Sequence, residues 1–121
     1  MREKFKNFHL FLFFIFFILS PASVWSEKEK IHEILVLKDT YRFSPEVVHI
    51  SIGDTIKWVN HDIRMHQFAS VPGSGPTGEL EFICDEVEPD NTCQHTFTTS
   101  GEFPYFCFIH KQMLGLVIVG N

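Results

Sequence analysis

The residues of this chain best suited to chemistry stand near its C-terminus, in Cys107-Phe108-Ile109-His110-Lys111-Gln112-Met113. A thiolate, an imidazole and a thioether fall within seven residues, with two residues between each donor and the next. Spacing that short lets one tight loop turn all three donors toward a single point. Soft and borderline donors of this kind favour copper over magnesium, calcium or manganese. A copper site that changes oxidation state with little rearrangement takes two His and one Cys in a plane, with a long axial Met. The segment lacks the second His.

His66 is the expected second imidazole. It follows Trp58-Val59-Asn60, the end of an expected strand, in a polar stretch that reads as a loop. His61 lies in the same stretch and is its rival. His49 alternates with apolar residues and should face solvent, His95 sits mid-strand, and His32 lies at the start of the folded part. Taken singly, each donor has a bland reading. An isolated His is usually a surface or hydrogen-bonded group, Met113 would pack a core, and Cys107 would be a buried thiol or half a disulfide. Their conjunction points to a metal. Zinc is the competing ion, but Met is a poor zinc ligand.

The elements that must position these donors read as short strands. Ile34 to Leu37 is apolar and β-branched, and Val48, Ile50 and Ile52 alternate onto one face of a strand. Gly53-Asp54 marks a turn before a second strand, Thr55 to Val59. Pro72 to Gly78, with three glycines and two prolines, is a loop; a short helix over 69–80 is compatible with the pattern. Glu81 to Asp85 and Gln94 to Thr98 read as a hairpin joined through Glu88-Pro89-Asp90-Asn91. In the strand that starts at Gly101, Phe103, Tyr105 and Cys107 share a face, and Leu116 to Val119 is a final strand. Six or seven short strands with turn signals every ten or so residues indicate an all-β antiparallel sandwich or barrel.

The 121 residues hold at most one domain. Arg2, Lys4 and Lys6 precede an unbroken apolar run from Leu10 to Leu19. That run is short of the ~20 residues a bilayer-spanning helix needs. It fits a secretory signal peptide over residues 1–26, with Val24 and Ser26 placed for cleavage before Glu27 and a second site after Ala22. A periplasmic or secreted protein is expected, with residues 27–121 as the domain. Losing Arg2, Glu3, Lys4 and Lys6 leaves fourteen acidic and seven basic residues, a net charge of −7. Nucleic acid and anionic lipid would repel such a chain. Three cysteines in an oxidising compartment leave one over, and metal ligation gives it a reason to stay reduced. Cys84 and Cys93 can pair across the expected hairpin or remain free core thiols.

Tyr41-Arg42-Phe43-Ser44-Pro45, Ile52-Gly53-Asp54-Thr55-Ile56-Lys57-Trp58-Val59-Asn60 and His66 resemble the N-terminal half of plastocyanin-like cupredoxins, the type 1 blue copper proteins. Gly101-Glu102-Phe103-Pro104-Tyr105-Phe106-Cys107, His110, Met113 and Gly115-Leu116-Val117-Ile118-Val119 continue the match, and the short ligand loop is most like that of the amicyanins. The resemblance covers residues 34 to 119. It implies a Greek-key β-sandwich of about seven or eight strands, with one copper held at one end by His66, Cys107, His110 and Met113. It implies a monomer that carries single electrons between transient redox protein partners and is no enzyme. The exposed edge of His110 is then the expected electron port, ringed by an apolar patch of Phe108, Ile109, Leu114 and Met65. The acidic surface would steer a basic partner. Met65 and Gln67 stand where the family often has Pro and Asn, and that Asn ties the two ligand loops together. A copper carrier or store without redox cycling is the alternative, although such proteins tend to be richer in Met. A copper nitrite reductase would need a second copper site and far more chain.

Overall fold

The computed structural model describes residues 21–23, 27–110 and 112–121; apart from 21–23, the expected signal peptide lies outside the described residues. Among the described residues, nine strands follow in chain order: β1 Ile31–Val36, β2 Phe43–Ser44, β3 Val47–Ser51, β4 Thr55–Asn60, β5 His66–Ser70, β6 Ile83–Val87, β7 Thr92–Thr96, β8 Gly101–Cys107 and β9 Leu114–Gly120. They form a sandwich of a four-stranded sheet, order β2-β1-β4-β7, and a five-stranded sheet, order β3-β9-β8-β5-β6. The all-β expectation holds. The pairing is mixed rather than purely antiparallel, because β1 runs parallel to β4 and β3 parallel to β9.

Alternation builds the inner faces. In β4, Ile56, Trp58 and Asn60 point inward, and in β8 Phe103, Tyr105 and Cys107 do so. The two sheets meet over aromatic rings. Trp58 stacks on Phe82 with centroids 4.6 Å apart, and Tyr105 meets Phe43 edge-on at 4.7 Å. Such pairs add to the burial of large apolar area. Tyr105 pairs with Gly115 across β8 and β9, and its ring occupies the space a side chain at 115 would need. Glycine is required there by close approach rather than by backbone conformation.

Four readings of the sequence change. Residues 66–70 form a strand, not a loop: the polar pair His66-Gln67 masks a segment in which His66, Phe68, Ala69 and Ser70 are all buried. The expected hairpin is not one. β6 lies at the edge of the five-stranded sheet and β7 at the edge of the other, so the chain crosses the sandwich between them. Cys84 and Cys93 are disulfide-bonded, Cα atoms 5.9 Å apart, and the bond ties the two sheets together. Ile52 lies exposed in the turn after β3, leaving Val48 and Ile50 as the inward pair. Residues 71–82 run through turns and bends without a helix.

At the end of the sandwich away from the candidate donors, Asp54 gathers the start of the domain. It accepts hydrogen bonds from the Lys30 and Ser51 backbone N–H groups, both at 3.1 Å, and meets His32 Nε2 at 2.9 Å. Burial alone would raise its carboxyl. The His32 bond and the two backbone donors outweigh that and hold it below its ordinary value.

Two expectations follow. Gly115→Ala forces Tyr105 out of its place and should destabilise the fold by about 1–3 kcal/mol in urea unfolding. Asp54, with its pKa depressed on folding, stabilises above the unfolded carboxylate value of about 3.9, and the contribution is lost as pH falls through the folded value. Asp54→Asn should therefore be less stable than wild type at neutral pH. The gap should begin to narrow as pH falls toward about 4 and close once pH has passed below the depressed folded value, in unfolding curves taken down the acid range.

Candidate metal centre

β1, β4, β6 and β8 all end at one pole of the sandwich, and Asn60 ties the loops there. Its buried side chain donates to the Arg64 and Val87 carbonyls, both at 2.8 Å, and accepts from the Asp62 N–H at 2.9 Å. Its backbone bonds Asn91 and Asp90 in the β6–β7 turn. An Asn at the end of a strand can do this because it carries two donors and an acceptor on a short, stiff stem. The loop of residues 61–65 is thereby held against β6, and His66 starts β5 at a set height.

Cys107 ends β8 opposite Phe68. The ligand loop then turns back as a tight connection. The Cys107 N–H donates to the Met113 carbonyl at 3.0 Å, and the Met113 N–H donates to the His110 carbonyl at 2.9 Å. The Phe108 N–H donates to the Gln67 carbonyl at 2.8 Å, which links the β8–β9 loop to β5. The Gln67 side chain does not make this link. That side chain donates to Asp85 on β6, and the backbone does the linking.

The structure brings His66 and Cys107 together. Both are fully buried, and the Sγ lies 3.8 Å from His66 Nδ1. The other ring nitrogen, Nε2, donates to Asp62 Oδ2 at 3.0 Å, and the Asp62 side chain is itself enclosed. An anchored Nε2 leaves Nδ1 to present its lone pair beside the sulfur. Cys107 is the one free cysteine. Burial would raise its thiol, but the His66 bond and backbone donors from His110, Ile109 and Gln67 bring it below its ordinary value. Burial would likewise lower His66; Cys107 and Asp62 outweigh it and raise the imidazole. Each group thus favours the charged form of the other, and Asp62 adds to the pull on His66.

His110 stands beside this pair, its ring centroid 5.3 Å from that of His66. Its Nε2 is enclosed and has no hydrogen-bond partner among the described residues. Burial, then the nearby His66 and Arg64, hold His110 below its ordinary value. The ring is half-buried and packs on Tyr41, centroids 4.4 Å apart. Met113 is fully buried at the foot of the loop. Among the described residues, no three His, Cys, Asp or Glu side chains converge closely enough to hold an ion as they stand. The donors still fit one. An imidazole nitrogen at ~2.0 Å and a thiolate at ~2.3 Å from a shared ion, ~120° apart, lie ~3.7 Å from each other. The observed 3.8 Å matches, and the unpartnered His110 nitrogen supplies a further donor.

The remaining histidines among the described residues are accounted for otherwise. His49 and His61 are exposed, His32 bonds Asp54, and His95 bonds Glu81 at 3.0 Å. Sequence reasoning missed Asp62. The signal was an acid four residues before the expected ligand, but in a stretch read as a solvated loop it looked like ordinary surface charge.

A family model described as a cupredoxin-like domain matches residues 8–119. Amicyanin from Paracoccus versutus is 37% identical over 76 residues, 63% of this chain and 55% of the relative. Amicyanin from Paracoccus denitrificans is 32% identical over 76 residues, covering 63% and 56% respectively. The chain thus spans just over half the length of these curated relatives. Among solved structures, a purple cupredoxin from Nitrosopumilus maritimus superposes with a TM-score of 0.64 at 25% identity, over 73% of this chain and 98% of that one. A sandwich of this topology, with a buried thiol and imidazole at one pole and a family match across nearly its whole length, belongs to the cupredoxin-like family.

Proposed function

We propose that this chain is an exported electron carrier that holds one copper ion with His66, Cys107, His110 and Met113. The observation that carries this reading is the buried Cys107 sulfur 3.8 Å from a His66 nitrogen, with Asp62 occupying the other nitrogen of that ring. Two imidazoles, a thiolate and a thioether would hold copper in a donor set that suits both of its oxidation states, and the chemistry it would supply there is the passage of single electrons.

The chain's own residues supply the rest. Asp62 orients His66, and backbone N–H groups of Gln67, Ile109 and His110 steady the thiolate. Burial of Cys107 and Met113 keeps water out and surrounds the sulfur with apolar atoms, which tunes a redox potential. Tying β5 to the ligand loop through Gln67 and Phe108 keeps the donor spacing unchanged as charge comes and goes. The tight packing and short loop support a carrier of electrons over an enzyme with a substrate cleft.

At the same pole, Phe108, Ile109 and Leu114 are each about half exposed, and Ile63 more so. Met65, expected beside them, is half-buried. Apolar side chains there offer a small, transient docking face, and the net charge of −7 in residues 27–121 favours a basic partner. The basic start, the apolar run and the Cys84–Cys93 disulfide together support a signal peptide over residues 1–26 and a periplasmic or secreted domain.

The visible spectrum of the purified domain with Cu(II) tests this directly. An intense blue to purple thiolate band should appear, bleach with ascorbate and return on reoxidation, and Cys107→Ser should abolish it. A colourless protein that binds Cu(I) alone would replace the electron carrier with a copper store. Association with a basic redox partner should slow as salt is raised; a rate indifferent to ionic strength would remove the steering.

A further inference from the structure

The two imidazoles are not held alike. Asp62 fixes the His66 ring through Nε2. A ligating His almost always has such an anchor on its second nitrogen. His110 has no such anchor: its Nε2, the nitrogen left free for an ion, is unpartnered, and its other ring nitrogen bonds no described residue. Its ring is met instead by Tyr41, centroid to centroid at 4.4 Å and tilted by 48°.

Tyr41 is itself held in place. The Arg64 guanidinium carbon sits 5.5 Å from the centre of its ring. Arg64 reaches Asp39 at 3.2 Å and the buried Asp62 at 3.5 Å. The loop between β1 and β2 takes left-handed backbone at two non-glycine positions, Asp39 with φ 59° and Tyr41 with φ 50°. Asp tolerates that region, but a bulky Tyr adopts it only where its surroundings insist. The contacts that insist are the ones to Arg64 and His110. A closed circuit results: Asp62 touches His66 and Arg64, Arg64 covers Tyr41, Tyr41 packs on His110, and His110 lies beside His66.

We propose that Tyr41, clamped by Arg64, is the positioning residue for His110, replacing by ring packing the hydrogen-bond anchor that His66 has in Asp62. The proposal rests on His110 being a metal ligand for its functional meaning, but the hold itself is a property of the metal-free protein. Tyr41 is also exposed at 38%, so the group that steadies His110 stands between it and solvent.

Nuclear magnetic resonance on the labelled metal-free protein reads the hold without any metal. His110 ring protons should show a ring-current shift in wild type and in Tyr41→Phe. Arg64→Ala, which leaves the ring present but unclamped, should shrink that shift, and Arg64→Lys should restore part of it. Trp58 and Phe97 ring signals, from the buried core, should stay in place as the internal check on folding. Titration with Cu(I) then reads the consequence. Tyr41→Ala should weaken binding about tenfold, as loss of a supporting residue does, with Tyr41→Phe near wild type. Unperturbed His110 shifts in wild type would overturn the proposal without need of a variant. So would a Tyr41→Ala protein that binds as tightly as wild type. Should Tyr41→Ala fail to fold, Tyr41→Leu carries the same comparison. A wild type that binds no copper would sink the electron-carrier reading while the resonance data still decide the role of Tyr41.

Discussion

A thiol and an imidazole buried side by side, away from water, are the constraint on which the rest of this molecule depends. Neither group is at ease in an apolar interior without partners. The fold answers with specific neighbours: Asp62 behind His66, backbone N–H groups around the sulfur, and Asn60 behind Asp62. Asp62 and Asn60 are buried in turn, so each needs its own partners, and Asn60 finds three. The polar pole is therefore a connected network within a sandwich otherwise closed by aromatic rings. Such networks rigidify a site when fully satisfied. Beside this network, His110 Nε2 is enclosed without a partner among the described residues.

Much of this was legible in the sequence, for reasons that can be stated. The strands β4 and β8 alternate cleanly because one face of each meets the core, so period-two reading places Trp58, Tyr105 and Cys107 inward. The donors of the short loop are adjacent in the chain, and adjacency needs no tertiary knowledge. Elimination among the histidines points to His66, yet its surroundings read differently in the sequence. A His-Gln start looks like a loop because burial of such residues depends on partners elsewhere. Asp62 can act only once Asn60 has turned the chain, and nothing in residues 61–65 reveals that turn.

The crossing between β6 and β7 was hidden for a different reason. Two short strands with a Pro-Asp-Asn turn between them satisfy a hairpin and a sheet-to-sheet crossing equally well on local grounds. What separates them is non-local. β5 takes β6 as its neighbour, β4 takes β7, and the Asn60 backbone holds the turn between the layers. The disulfide is compatible with either arrangement, since both bring residues nine apart within reach. Its consequence differs: across a hairpin it would staple one edge, whereas here it joins both sheets beside the strand that carries His66.

The placement of Tyr41 shows how the remaining freedom at this pole is taken up. A ligand loop of two-residue gaps can aim its donors but cannot lock each of them, because it has too few backbone groups to spare. Cys107 and Met113 are locked by burial and by the bond from the Cys107 N–H to the Met113 carbonyl. His110, at the apex between them, is the donor such a loop leaves loosest. Steadying it from within the loop would need a longer connection, which would in turn loosen Cys107. A support from a different element avoids that conflict, and the β1–β2 loop is the one within reach. Its left-handed Tyr41 is then intelligible as a strained backbone kept because the ring it carries is needed in one place.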